Sequence, residues 1–220
     1  MIELKKGILV AVEGIDGSGK STLANYLASM LQQREIPALI TREPGGTPLG
    51  KYLRKVLHER QDNIRISPKA EYLLFASDRA QHFQDVIKDA LEKRYVIISD
   101  RMCDSSVAYQ GFARGVDIDM IEKINQWALE GHLPDITIYL RIDLETAAKR
   151  LQLRSKALTS FEQEDKLFVE RVIQGFDTIM KNKKNLITLD ATQGVESVTK
   201  SAFEQLYKLL EKDIKLKGMA

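Results

Sequence analysis

Five short apolar runs punctuate the chain: "GILVAVE" (Gly7–Glu13), "PALITR" (Pro37–Arg42), "YVIISD" (Tyr95–Asp100), "ITIYLRI" (Ile136–Ile142) and "NLITLD" (Asn185–Asp190). Several lack alternation of apolar and polar positions, as strands do when a parallel sheet is covered on both faces. Longer amphipathic stretches lie between them, among them "STLANYLASMLQQR" after the first run and "KAEYLLFASDRAQHFQDVIKDALEKR" before the third. Strand, helix, strand in repetition predicts a doubly wound α/β fold with five parallel strands flanked by helices. The tail "YKLLEKDIKLKGMA" reads as a terminal helix that frays. Ligands of such sheets gather outside the carboxyl ends of the strands. Four conspicuous segments fall there: a glycine-rich loop after the first strand, "TREPGGT" after the second, "DRMCDSS" after the third, and "LRSKALTSFEQED" beyond the fourth and part of a helix.

The chain's 220 residues suit one domain, with a lid segment around residues 150–165; no repeat or low-complexity linker divides them. A net charge of only +2 argues against a nucleic-acid partner, so any anion must be met by locally placed lysines and arginines. Cys103 is the single cysteine and cannot form an internal disulfide, which fits the reducing cytoplasm. The first apolar run leads into an acidic, glycine-rich segment and not a cleavage site, so it reads as a strand. No run approaches the roughly 18 apolar residues of a membrane span, and no membrane partner is expected.

Gly14-Ile15-Asp16-Gly17-Ser18-Gly19-Lys20-Ser21 matches G-x-x-x-x-G-K-[ST] without a mismatch, between a strand and a helix, and Thr22 follows. Glycines let consecutive backbone N–H groups turn inward onto phosphate oxygens, and the helix that starts at Lys20-Ser21 adds its positive end. Lys20 supplies charge at the β- and γ-phosphates, and Ser21 offers a hydroxyl to Mg²⁺. This establishes a nucleoside triphosphate site without identifying the acceptor.

"GIDGSGKST", "TREPGGTPLG", "LLFASDR", the Asp100-Arg101 pair closing the third strand, "SSVAYQGFARG" and "FEQED" follow one another in the order seen in bacterial thymidylate kinases, which the chain resembles to about Gly175. The resemblance implies a three-layer P-loop NTPase fold, ATP- and Mg²⁺-dependent phosphorylation of dTMP to dTDP, and a homodimer. It also implies roles for named residues. Arg54 and Arg101 hold the acceptor phosphate with Arg42 beside them, since guanidinium groups grip phosphate with paired hydrogen bonds. Taken singly, each of these arginines reads equally well as a solvated surface charge. Phe75 and Arg79, four residues apart, share a helix face; in the family pattern Phe75 stacks on the pyrimidine and Arg79 donates to its carbonyl oxygens, although Phe75 alone reads as a core aromatic. Ser106, Tyr109 and Gln110 match positions near base and sugar, with Gln110 able to pair with a thymine edge and Tyr109 filling the space of a ribose 2′-hydroxyl. Asp16 reaches toward the acceptor's 3′-hydroxyl or the metal shell, and Glu43 is a second carboxylate of that kind. Asp100 orients Mg²⁺ through water or fixes Arg101.

Two departures stand out. Met102 and Cys103 follow Asp100-Arg101 where an aromatic is usual. More consequentially, neither Gly17 nor Ser18 brings an arginine into the loop, and Ser160 occupies the usual lid arginine's place. Arg154 is then the expected catalytic cation, ahead of Lys156 and Arg150. His58, His82 and His132 share no metal-ligand spacing and read as surface or packing residues. "DATQGVES", after the fifth strand, could approach an adenine ring. A different monophosphate kinase would share loop and sheet; a nucleotide-switched binding protein would leave the acceptor-side arginines unexplained.

Overall fold

The computed structural model describes residues 2–58, 65–153 and 159–216. Its centre is a parallel sheet of β2 (Ile8–Glu13), β3 (Ala38–Arg42), β4 (Val96–Asp100), β5 (Ile136–Arg141) and β6 (Leu186–Asp190) in the order β3-β4-β2-β5-β6. These are the five runs read from the sequence. β2 lies at the middle and is buried throughout. Its side chains alternate between two clusters, as pleating requires. Ile8, Val10 and Val12 join Leu27, Phe176 and Leu206, whereas Leu9 and Ala11 join Phe83, Ile87 and Leu129. That double burial is why the strands show so little alternation.

Register carries the site residues to one edge. Val12 pairs with Asp100, and Asp100 with Arg42, so the chain leaves β2, β3 and β4 side by side at their carboxyl ends. From there it enters α1 (Lys20–Gln32), α2 (Pro48–His58) and α5 (Cys103–Ser106). α3 (Pro68–His82) begins with Ser67 accepting from the Ala70 N–H at 3.4 Å and with Pro68 in the first turn. The long helical stretch at 69–94 is not uniform: α3 passes through a π-type turn at Phe83–Ile87 into α4 (Lys88–Glu92). A second π-type stretch, Val107–Ala113, continues α5 and carries Tyr109 and Gln110; such turns often sit at functional sites. α6 (Ile118–Ala128), α7 (Leu144–Gln152), α8 (Lys166–Met180) and α9 (Val195–Leu210) complete the layers. Asp143 and Asp165 cap α7 and α8, bracketing the lid segment.

The tail departs from the expected fraying helix. After α9 a short 3-10 turn (Glu211–Asp213) leads to β7 (Ile214–Leu216), which pairs antiparallel with β1 (Ile2–Leu4). The alternation Ile214-Lys215-Leu216 favours a strand once a partner is present, and the Lys5 N–H adds a 2.8 Å bond to the Asp213 carbonyl.

Candidate active site

The phosphate loop is shaped by backbone that only glycine adopts comfortably. Gly14, Gly17 and Gly19 have φ of 143°, 84° and 97°, and a Cβ on Gly17 would lie 2.7 Å from the Ala147 carbonyl oxygen of α7. Lys20 is buried; its Nζ donates to the Ile15 carbonyl at 2.8 Å and stands 3.9 Å from Asp16. Burial and then neighbouring Arg101 bring its ammonium down to about 8. The Ser21 hydroxyl donates to Asp100 Oδ2. A hydroxyl and a carboxylate, both hard oxygen donors at the mouth of the loop, fit Mg²⁺. Among the described residues no group of three or more His, Cys, Asp or Glu is placed to hold a metal.

A cavity of about 450 Å³ opens beside the loop. It is lined by Asp16, Gly17, Gly19, Lys20, Ser21 and Thr22 on one side and by Arg42, Glu43, Arg54, Phe75, Arg79, Asp100, Arg101, Ser106, Tyr109 and Gln110 on the other. The sequence-predicted residues thus converge, with Gly14, Ile15 and Ser18 shaping the loop behind the lining. Arg101, with φ of 73°, is aimed back at the loop. Its Nη1 donates to the Gly14 carbonyl (2.9 Å) and Ser105 Oγ (3.0 Å), and Nη2 to Asp16 Oδ1 (2.7 Å) and the Tyr109 hydroxyl (3.3 Å). Burial opposes ionisation of Asp16, but Arg101 and Lys20 outweigh it and hold the carboxyl well below the usual range. Arg54 donates to the Pro44 carbonyl at 2.9 Å. Burial, then Arg42 and Arg101, depress its guanidinium, the signature of cations gathered in want of an anion.

Deeper in, the acceptor wall rests on a polar network that sequence reasoning missed. Arg79 is fully buried; Nε donates to Glu43 Oε2 (2.8 Å), Nη1 to Asn125 Oδ1 (2.5 Å), and Nη2 to the Met102 carbonyl (3.2 Å) and Ser106 Oγ (3.1 Å). Glu43 Oε1 meets His82 Nδ1 at 3.0 Å, and His82 Nε2 meets the Thr41 hydroxyl. Both Glu43 oxygens therefore have protein partners, and this carboxylate braces Arg79 while also lining the cavity, where the sequence suggested a contact with the 3′-hydroxyl or metal. Gln110 donates its amide to Glu71 Oε1 at 2.9 Å. Glu13 is fully buried at the end of β2 and accepts from the Met102 N–H (2.8 Å) and the Ser105 hydroxyl (2.5 Å), fixing the turn that presents Arg101. Burial, then Asp104, pushes its carboxyl up to about 7. Burial also pushes the Cys103 thiol up to about 12, so it stays protonated and is no nucleophile.

The lid side contributes Arg150, Leu151, Thr159, Phe161 and Glu162 to the cavity lining. Ser160 Oγ donates to the Leu57 carbonyl at 2.7 Å, so it ties the lid turn to α2. Arg114 Nη2 holds Glu164 at 2.8 Å from the other side. Arg154 and Lys156, the expected lid cations, lie outside the described residues. His82 is inside the network and His58 lines the cavity, while no residue of "DATQGVES" is among the cavity lining. A signal was present for His58, which follows Arg54 by four residues on α2.

A P-loop feeding a crevice whose far wall is guanidinium-rich defines a nucleoside monophosphate kinase. A family model for thymidylate kinase matches residues 12–202. The thymidylate kinase of Halothermothrix orenii is 40% identical over 207 residues, covering 91% of this chain and 97% of that protein. That of Exiguobacterium sp. is 37% identical over 206 residues, covering 93% and 96%. A crystal structure of thymidylate kinase from Ehrlichia chaffeensis superposes with a TM-score of 0.73 at 29% identity, covering 91% of this chain and 98% of that one. The chain belongs to the thymidylate kinase family.

Proposed function

We propose that this crevice carries out the family's reaction, with ATP bound on the loop and dTMP against the guanidinium wall. A phosphate oxygen of dTMP attacks the γ-phosphorus as the bond to the β-bridging oxygen breaks, and dTDP and ADP leave. Lys20 and the loop N–H groups neutralise the β- and γ-phosphates, and Arg54 and Arg101 hold the acceptor phosphate in line, with Arg42 beside them. Phe75 stacks on the base, and Tyr109, pinned by Arg101, fills the space of a 2′-hydroxyl. Asp16, held ionised by Arg101 and Lys20, accepts from the 3′-hydroxyl. Arg79, Ser106 and Gln110 shape the base edge, and Glu43 keeps Arg79 in position. Ser21 and Asp100 would hold Mg²⁺, which would supply positive charge to offset that of the donor phosphates. A lid cation completes the charge balance: Arg154 by its place in the sequence, or Arg150, which stands on the crevice wall.

The observation that carries this reading is the arrangement of Arg54 and Arg101 facing the loop across one cavity. A coupled assay offering dTMP, dUMP, AMP and GMP separately tests it: turnover is expected with dTMP far above the purine nucleotides, and preference for AMP or GMP would overturn it. We further propose a homodimer. Leu49, Tyr52 and Val56 on α2, Leu73 on α3, and Met120 and Trp127 on α6 are exposed apolar side chains that a partner would cover. Among the described residues no helix is long and apolar enough to cross a membrane, and a cytoplasmic setting is proposed from the lone buried cysteine.

A further inference from the structure

α2 ends at His58, one turn beyond Arg54, and the imidazole lines the cavity. Both ring nitrogens are buried, and neither has a hydrogen-bond partner among the described residues. Unpaired buried polar groups cost free energy, so one on a ligand-cavity wall points to a partner that arrives with the ligand. The neighbouring rings indicate which part of the ligand. Phe161 stands edge-on to His58 with centroids 5.5 Å apart, and the same ring abuts Phe75 at 5.8 Å and Tyr109 at 6.0 Å. The backbone fixes this contact, because the Ser160 N–H donates to the His58 carbonyl at 3.1 Å. Burial, then Arg54, lowers the imidazole to about 4. A neutral ring offers one donor and one acceptor, matched to uncharged polar atoms; the phosphate already has guanidinium groups at hand.

We propose that His58 is a specificity-determining residue of the acceptor site, held against the lid ring Phe161 so that its imidazole hydrogen-bonds the nucleoside half of the acceptor. The inference rests on reading this crevice as the dTMP site. Calorimetric titration of dTMP and of thymidine into the full chain tests it, comparing wild type with His58→Leu, His58→Gln and Arg54→Met. His58→Leu should weaken both ligands about tenfold, the scale of one hydrogen bond in a desolvated site, and raise KM for dTMP but not for ATP. His58→Gln, which keeps a donor and an acceptor, should recover most of that loss. If dTMP weakens and thymidine does not, the imidazole faces the phosphate and the proposal fails. Unchanged affinity for both ligands also defeats it. Arg54→Met separates the two layers, since it should weaken dTMP and spare thymidine. If it leaves dTMP binding intact, the acceptor-site reading itself is lost; if it behaves as expected while His58→Leu is silent, only the role of His58 is lost.

Discussion

The two walls of the crevice recognise phosphate by different means. On the donor wall, backbone does the work: glycines at positive φ turn N–H groups inward, and Lys20 and Ser21 extend a single contiguous segment. On the acceptor wall, guanidinium groups come from β3, α2, α3 and the end of β4, and Arg79 and Arg101 are aimed by partners distant in sequence. A backbone site depends on local conformation and tolerates little variation. A side-chain site depends on a supporting network, so its failures will reach into stability as well as catalysis.

The sharpest test of that contrast concerns the charge neither wall supplies. Of Arg150→Ala and Arg154→Ala, one should lower kcat by about 10³ or more in single-turnover assays, as loss of an arginine finger does, and the other by less than about tenfold. Near-normal turnover in both would return the third cation to one of the two walls. Next in size, Glu43→Gln leaves Arg79 and His82 without their buried anion. It should cost about 3–5 kcal/mol in urea unfolding and raise KM for dTMP. Ser21→Ala, on the donor wall, should change unfolding by no more than about 0.5 kcal/mol while impairing MgATP use.

Two pH experiments follow. Burial and then Arg101 bring the Lys20 ammonium down to about 8, below its ordinary range, and bound triphosphate favours its charged form. ATP binding should therefore take up a proton above pH 8, and affinity should fall with rising pH by at most about tenfold per unit. Calorimetry in buffers of different ionisation enthalpy would detect the uptake. The smallest expected effect belongs to Glu13. Its folded pKa is raised from 4.5 to about 7, so the folded state binds the extra proton between those values and stability falls as pH rises through that window. In Glu13→Gln that part of the stability profile should flatten.

The same contrast explains what could be read from sequence. The five sheet strands were legible because burial on both faces writes itself into each run, and the loop because its eight positions are consecutive. His82, Asn125 and Glu13 were not, since each acts through a partner far along the chain: His82 on Glu43, Asn125 on Arg79, Glu13 on Ser105. Family resemblance recovered the acceptor residues as a set but not the bonds between them, such as that of Glu43 to Arg79. The pairing of β1 with β7 escaped for the same reason, as Ile2 meets Leu216.

Gly17 has one more implication. With its α-carbon pressed against the peptide of Ala147, the first lid helix rides directly on the loop's crown, with no side chain between them as a spacer. Any longer residue there, arginine included, would have to pry the two apart. Crowding alone thus bars an electrophilic helper from position 17 of this loop.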